Sequence, residues 1–466
     1  MGISVVTVPA YLRLIGDARY GVLALVWLFL GYFGLFDPGI SRAASFHIAR
    51  LHAHEHAKER ESVFWTALVI NLGFGLLGGI LAYAIARPLF MSSFKMPEEM
   101  RHEVMQSLPW IALSVPVAIV TGVLGGAMQA RDRFGLYNSI STANAVLSQL
   151  IPLAIAFWHG PDLNWLIPAI LLTRMAGSIP TCVALVTVLP IGRGGRFDRS
   201  RIRGLFTYGG WITITNVLSP LLTAMDRVLI GSLVSAQAVA FYTVPFNLVS
   251  RVSVIPGSLA TSLFPKLSRG DRNDSGRLAS EAATALAAVL TPVVVLGIAA
   301  LPIFMRFWVG RVFAQHAASV GVVLFLGIWV NGLAFIPYEH LQAIERPDVV
   351  AKFHAAELVP FLGLLWLGLH YFGLIGAAWA WTLRVTVDAG LLFAVAGHLP
   401  GWKRILPGAI FVLLAAACSP TVILSAKTAA ELVILVVAGI WSWRLSPSVR
   451  NAVRIRLHTR RIGEAA

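Results

Sequence analysis

The chain predicts an all-α polytopic membrane protein, and three observations carry that expectation. Of its 466 residues, 57% are hydrophobic and only 13% are charged, where a soluble domain carries about 25% charged residues. The mean hydropathy is +0.76. Apolar stretches of membrane length recur from end to end, separated by short polar corners. Helix is the secondary structure that fits, because the stretches lack the ~10-residue alternation of a membrane barrel.

The stretch from Arg13 to Arg50 sets the pattern. A polar corner (Arg13-Leu14-Ile15-Gly16-Asp17-Ala18-Arg19-Tyr20-Gly21) feeds an apolar run from Val22 to Phe36. Asp37-Pro38-Gly39 then breaks the helix, and a basic segment follows. A span needs about 20 apolar residues. Candidates fall near 1–15, 20–37, 63–87, 106–130, 135–158, 164–190 and 205–231. Seven more fall near 236–265, 278–309, 314–343, 348–370, 373–397, 404–425 and 427–445, making about fourteen. The first is short: some fourteen residues reach roughly 21 Å against ~30 Å of hydrocarbon. The expectation is a start one or two turns upstream of Met1, with local bilayer thinning as the alternative.

No loop is long enough for a soluble domain, and no cleavable signal peptide is expected. Cys182 and Cys418 both lie in apolar runs, so a disulfide framework is not expected.

The net charge of +15 could suggest nucleic acid, but its distribution argues otherwise. With Asp37 to Ser62 placed in the cytoplasm, 25 of the 37 Lys and Arg fall on the cytoplasmic side and 6 on the other. The remaining 6, Arg13, Arg87, Arg174, Arg227, Arg251 and Arg384, lie within or at the ends of spans. The positive-inside rule therefore gives an orientation, places the C-terminus in the cytoplasm and accounts for the basic balance without nucleic acid. The tail, 447–466, is expected against anionic lipid headgroups.

Two internal correspondences suggest a repeat. Leu14-Ile15-Gly16 returns as Leu229-Ile230-Gly231, 215 residues later, and Leu172-Thr173-Arg174 is echoed by Thr382-Leu383-Arg384. Six spans per repeat bring the chain back to the same side, so the halves should be parallel. The expected lobes are 1–195 and 204–397, each of six helices, followed by an extra helix pair over 398–446.

The corner Leu14-Ile15-Gly16, the pair Tyr20-Gly21 and the exit Asp37…Gly39…Arg42 resemble the N-terminal region of bacterial polysaccharide (O-antigen, Wzx-type) flippases. That family shares a superfamily with multidrug extruders and peptidoglycan-precursor flippases. The resemblance implies a MATE-like fold and a transporter rather than an enzyme. It also implies a bacterial cytoplasmic-membrane location and a lipid-linked oligosaccharide as substrate. Surface polysaccharide, whether lipopolysaccharide or exopolysaccharide, would be the product's destination, with membrane lipids and polysaccharide polymerase machinery as partners.

Charged residues inside spans are the candidates for chemistry, because each costs about 2.5–3.5 kcal/mol at the bilayer centre and so faces a cavity or a partner. Arg174, Arg251 and Arg384 fall near mid-span. A guanidinium fork binds phosphate oxygens bidentately, so these three, with Arg42, are candidate ligands for a diphosphate. The structural alternative is an ion pair between helices. Arg384 and Asp388 share a helix face and could neutralise each other. Asp226-Arg227, in the run D-R-V-L-I-G, is a candidate gating pair, with interfacial snorkelling as the plainer reading. Glu339, Glu357 and Asp388 are candidates for coupling to H⁺ or Na⁺, since intramembrane carboxylates relay cations.

His52, His54 and His56 alternate at a spacing that no helical face shares, so no metal site is expected there. There is no Walker motif, and no cofactor is expected. Pro220, Pro245, Pro256, Pro292 and Pro302 each remove a backbone hydrogen bond from a second-lobe span, for bending or for static packing.

The function these features point to is movement of a polyprenyl-diphosphate oligosaccharide between leaflets by alternating access. A cation-coupled drug extruder would prefer acidic and aromatic walls, against which the three arginines argue. A peptidoglycan-precursor flippase stays open and would also explain two extra spans. A membrane polymerase or ligase would need outer catalytic loops, and none here is long enough.

Overall fold

The computed structural model describes residues 3–31, 37, 39–51, 57–188, 196–199, 222, 224–267, 272–344, 346–397, 402–419 and 426–445. Among them every regular element is helical, as the composition predicts. The first elements are α1 (Ile3–Gly31), α2 (Ile40–Arg50), α3 (Ala57–Pro88), α4 (Glu98–Gln129), α5 (Phe134–His159) and α6 (Leu163–Val188). After a helical stretch over 224–233 come α7 (Ala236–Val249), α8 (Val254–Leu267), α9 (Arg272–Trp308) and α10 (Arg311–Ala343). The chain closes with α11 (Pro347–Ala396), α12 (Trp402–Cys418) and α13 (Ala426–Leu445). Eight of the described helices are long and apolar enough to cross a membrane. His52, His54, His56, the tail and most of the seventh predicted span lie outside the described residues.

Two glycines turn long helices where spans meet. Gly16 (φ 77°, ψ 166°) bends α1 at the predicted corner. Gly373 (φ 59°, ψ −139°) bends the 50-residue α11, which unbent would run about 75 Å, more than twice a bilayer core. A Cβ at either glycine would meet nothing, so backbone conformation alone requires glycine there. Gly231 is different. Its helix continues to residue 233, and a Cβ there would collide with the Phe94 ring. The repeated Leu-Ile-Gly triplet thus ends in glycine for two separate reasons.

The chain forms two compact units, Met1–Ala240 and Phe241–Ala466. In the first, α2 is an amphipathic helix that lies along α3 and α4. Asp37 caps its start by accepting hydrogen bonds from the Ile40 and Ser41 N–H groups (2.9 and 3.3 Å). Its Ile40, Ala43, Ala44 and Ile48, at helical spacing, bury against Phe64 and Ala67 of α3 and Ala127 and Met128 of α4. α3 and α4 meet through Gly75 and Gly79, where a Cβ would come within 2.7 Å of Pro116 Cα and the Ala112 carbonyl. Small residues four apart allow this approach, as is usual where helices pack within lipid.

In the second unit α10 is central. It is apolar along its middle and mostly buried, from Val320 to Trp329 without a break, as befits an enclosed helix. α9 and α11 flank it, and the closing pair α12 and α13 packs on α9. There Ser442 Oγ donates to the Ala288 carbonyl, and Gly408 lies against Thr291, Trp329 and Trp441.

Candidate functional site

The bend at Gly373 folds α11 into a hairpin whose legs touch at Gly368 and Gly376, backbone against backbone. That close approach brings four charged or titratable side chains together in the second unit. Arg384 Nε donates to Glu357 Oε2 at 3.1 Å, and its guanidinium carbon lies 6.0 Å from the centroid of the Phe361 ring. His354 Nε2 lies 4.0 Å from Asp388 Oδ1, and the Asp388 carboxyl adjoins that of Glu357. The side chains of Glu357, Asp388 and Arg384 are only 8–10% exposed. Glu357 Oε1 and Asp388 Oδ1 have no hydrogen-bond partner among the described residues.

Arg384 is hydrogen-bonded to Glu357, and the Asp388 carboxyl faces His354 instead; with both carboxylates ionised and His354 neutral, one negative charge is left over. A proton or a monovalent cation would neutralise it. Arg384 therefore takes Glu357, on the other leg, as its hydrogen-bonded partner, rather than Asp388 one turn away on its own leg.

Arg251 occupies a different setting. It lies in a 3-10 turn, Ser250–Ser253, that interrupts the span between α7 and α8. Pro256 explains the break: it has no N–H to give the Val252 carbonyl four residues back, and its ring crowds that carbonyl. Below Arg251, Ser258, Thr261 and Ser262 are exposed on one face of α8, and Asn247 on α7 continues the same stripe. An open groove of about 540 Å³ runs along it, lined by Val254, Gly257, Ser258, Thr261 and Ser262. Thr261 Oγ1 and Ser262 Oγ donate to carbonyls of their own helix, Gly257 (2.9 Å) and Leu259 (2.8 Å). Their lone pairs stay available as acceptors.

The other predicted residues are scattered. Arg174 is half-buried near the middle of α6. Arg42 is exposed on α2. Asp226 and Arg227 are almost fully buried, 0% and 3% exposed, and pair with each other at 2.9 Å. Glu339 is half-buried, four residues before the end of α10. Among the described residues no group of three or more His, Cys, Asp and Glu side chains is arranged to hold a metal ion.

The profile of the polysaccharide biosynthesis protein family matches residues 1–271, more than half of the chain. The chain belongs to that family. A Shigella flexneri relative named "Putative O-antigen transporter" is 26% identical over 381 residues, covering 82% of this chain and 90% of the relative. Among solved structures, the lipid II flippase MurJ in an inward closed conformation superposes with a TM-score of 0.70 at 15% identity, covering 94% of this chain and 96% of that one. An inward-facing multidrug resistance MATE family transporter of the MOP superfamily gives 0.67 at 15% identity, covering 89% and 95%. The polysaccharide biosynthesis protein described here thus has a MATE-like fold and is a multi-pass membrane protein.

Sequence reasoning about this family member missed His354 and Phe361. A signal for both was present. Glu357 lies 16 residues before Gly373 and Asp388 15 after it, while Phe361 and Arg384 lie 12 before and 11 after. Once Gly373 is read as a hairpin corner, those residues fall opposite one another.

Proposed function

We propose that this chain is a flippase that moves a polyprenyl-diphosphate-linked oligosaccharide across the bacterial cytoplasmic membrane by alternating access, for surface polysaccharide biosynthesis. The observation that carries the reading is the polar stripe headed by Arg251. A helix of membrane-spanning hydropathy that exposes Asn247, Ser258, Thr261 and Ser262 on one face favours water or a polar ligand there, since lipid would leave the Asn247 amide and the acceptor lone pairs of the hydroxyls without partners. Arg251 adds a cation suited to a diphosphate. Family membership and the name of the Shigella flexneri relative, a transporter, support transport rather than catalysis.

The unmatched carboxylate oxygens of Glu357 and Asp388 are the proposed coupling site for H⁺ or Na⁺. The orientation drawn from the basic residues places the C-terminus in the cytoplasm, and six-helix lobes with a closing pair remain the proposed repeat organisation. Polymerase machinery on the far side would take the product.

Changing Arg251 to Gln tests the reading. Surface polysaccharide should fall while the variant inserts in the membrane at wild-type level; undiminished export by that variant would remove Arg251 from the substrate path.

A further inference from the structure

In the first unit, α5 divides into three faces, with the exposed Ser139 on the border between the second and the third. One packs on α6: a Cβ at Gly177 of α6 would collide with the Asn144 side chain. A second, made of Leu136, Ala143, Leu147 and Leu150, is exposed and apolar, as a lipid-facing surface should be. The third carries Asn138, Ser141, Thr142 and Gln149, at i, i+3, i+4 and i+11, with the small Ala145 between them, and all but Gln149 are exposed. Gln149, at its end, accepts a hydrogen bond from Thr7 of α1 at 3.0 Å.

An interfacial position does not explain this face. α5 is 26 residues long, about 39 Å, against a hydrocarbon core of about 30 Å. Asn138 is then close to the edge of the core and Thr142 inside it. At the same depth the second face is Leu136, Ala143 and Leu147, whereas headgroups would wet every side of the helix alike. One-sided polarity inside a membrane-spanning helix marks a hydrated wall.

The chemistry of the wall is specific. Its side chains are amides and hydroxyls with no charge, each able both to donate and to accept, which is what a saccharide hydroxyl requires. Cations are supplied by a neighbour: the Gly177–Asn144 contact sets the α5–α6 register, and Arg174, one turn from Gly177, falls level with Leu147 and Ser148.

We propose that the face of α5 bearing Asn138, Ser141 and Thr142 binds the saccharide part of a lipid-linked oligosaccharide, while Arg174 at its far end takes the diphosphate. The assignment rests on the flippase reading above and describes one stage of alternating access, in which the substrate is divided between two subsites of the first unit; Arg251 of the second unit meets the diphosphate at another stage. It makes Asn138, Ser141 and Thr142 specificity-determining residues, and it predicts that they act only when sugar is present.

The experiment is a lipid titration of the purified full chain, read by native mass spectrometry, with two probes. One is bare undecaprenyl diphosphate. The other is the oligosaccharide-bearing polyprenyl diphosphate extracted from an export-deficient strain of the host. Asn138→Ala with Thr142→Val should weaken the sugar-bearing lipid about tenfold, as expected for one or two lost hydrogen bonds, and leave the bare lipid unchanged. Arg174→Gln should weaken both, and Leu147→Ala on the apolar face neither. Loss of both lipids in the Asn138/Thr142 variant, or loss of neither, overturns the saccharide wall. So does a wild type that binds the two lipids equally. A wild type that binds neither lipid instead overturns the flippase reading itself.

Discussion

Arg384 and Glu357 are 27 residues apart in the chain and hydrogen-bonded at 3.1 Å, with only 10% and 8% of their side chains exposed. The pair bridges the two legs of the α11 hairpin. Truncating one partner leaves a buried charge unmatched, which costs about 3–5 kcal/mol, whereas neutralising both together costs far less. Glu357→Ala and Arg384→Ala should each lower the melting temperature of the purified protein by many degrees. Glu357→Gln/Arg384→Gln should recover most of that loss. Single and double variants with equal melting temperatures would show that the pair does not hold the hairpin.

The hairpin also depends on glycine in two distinguishable ways. Gly373→Ala strains a positive φ and should cost about 1–3 kcal/mol. Gly376→Leu would drive a side chain into the Gly368 backbone, separate the legs and pull Arg384 from Glu357. It should therefore be much the worse of the two, with little folded protein recovered by size-exclusion chromatography. The reverse ranking would contradict the backbone contact.

In the first unit Glu103 joins three helices. Its carboxylate accepts from Arg19 Nε at 3.1 Å and Nη2 at 2.5 Å, and from the Leu163 N–H at 3.0 Å. Bonds to a charged group are worth about 1.5–3 kcal/mol each, so Glu103→Ala should destabilise strongly. Glu103→Gln keeps the Leu163 bond and should melt between Ala and wild type. An alanine variant as stable as wild type would show that this junction contributes nothing.

The orientation can be read chemically in a cysteine-free background. Cysteines at Ser93 and Pro161, both exposed, should react with an impermeant thiol reagent applied to whole cells. Cysteines at Lys58 and Arg277, also exposed, should react only after the membrane is opened. The opposite pattern would invert the topology drawn from the 25-to-6 division of basic residues.

Much of this architecture is legible in the residues. Apolar runs separated by basic corners gave the spans, and Gly16 marked a real turn. The partners inside the fold were harder. Arg384 and Asp388 are a turn apart on one helix, which drew attention away from Glu357; only the corner at Gly373 reveals the cross-leg pairing. Helix α2 went unread because Arg42 and Arg50 made its segment look like a basic loop, although Ile40, Ala43, Ala44 and Ile48 already follow a helical period. The break at Arg251 needed both its causes at once: Pro256 announces a lost hydrogen bond, but not that the chain tightens into a 3-10 turn beneath an arginine. The α5 wall is visible only when exposure separates its polar face from the apolar one at the same depth.

The account's central claim is that the protein carries a lipid-linked oligosaccharide between leaflets, and proteoliposomes test it most directly. The purified chain would be reconstituted with the oligosaccharide-bearing polyprenyl diphosphate, and the sugar exposed on the outer leaflet followed with a membrane-impermeant lectin or glycosidase. Wild type should make nearly all of the labelled lipid accessible with time, and Arg251→Gln should leave it close to the protein-free fraction. Accessibility that stays at the protein-free fraction in wild-type vesicles, with the protein folded and inserted, would contradict the claim.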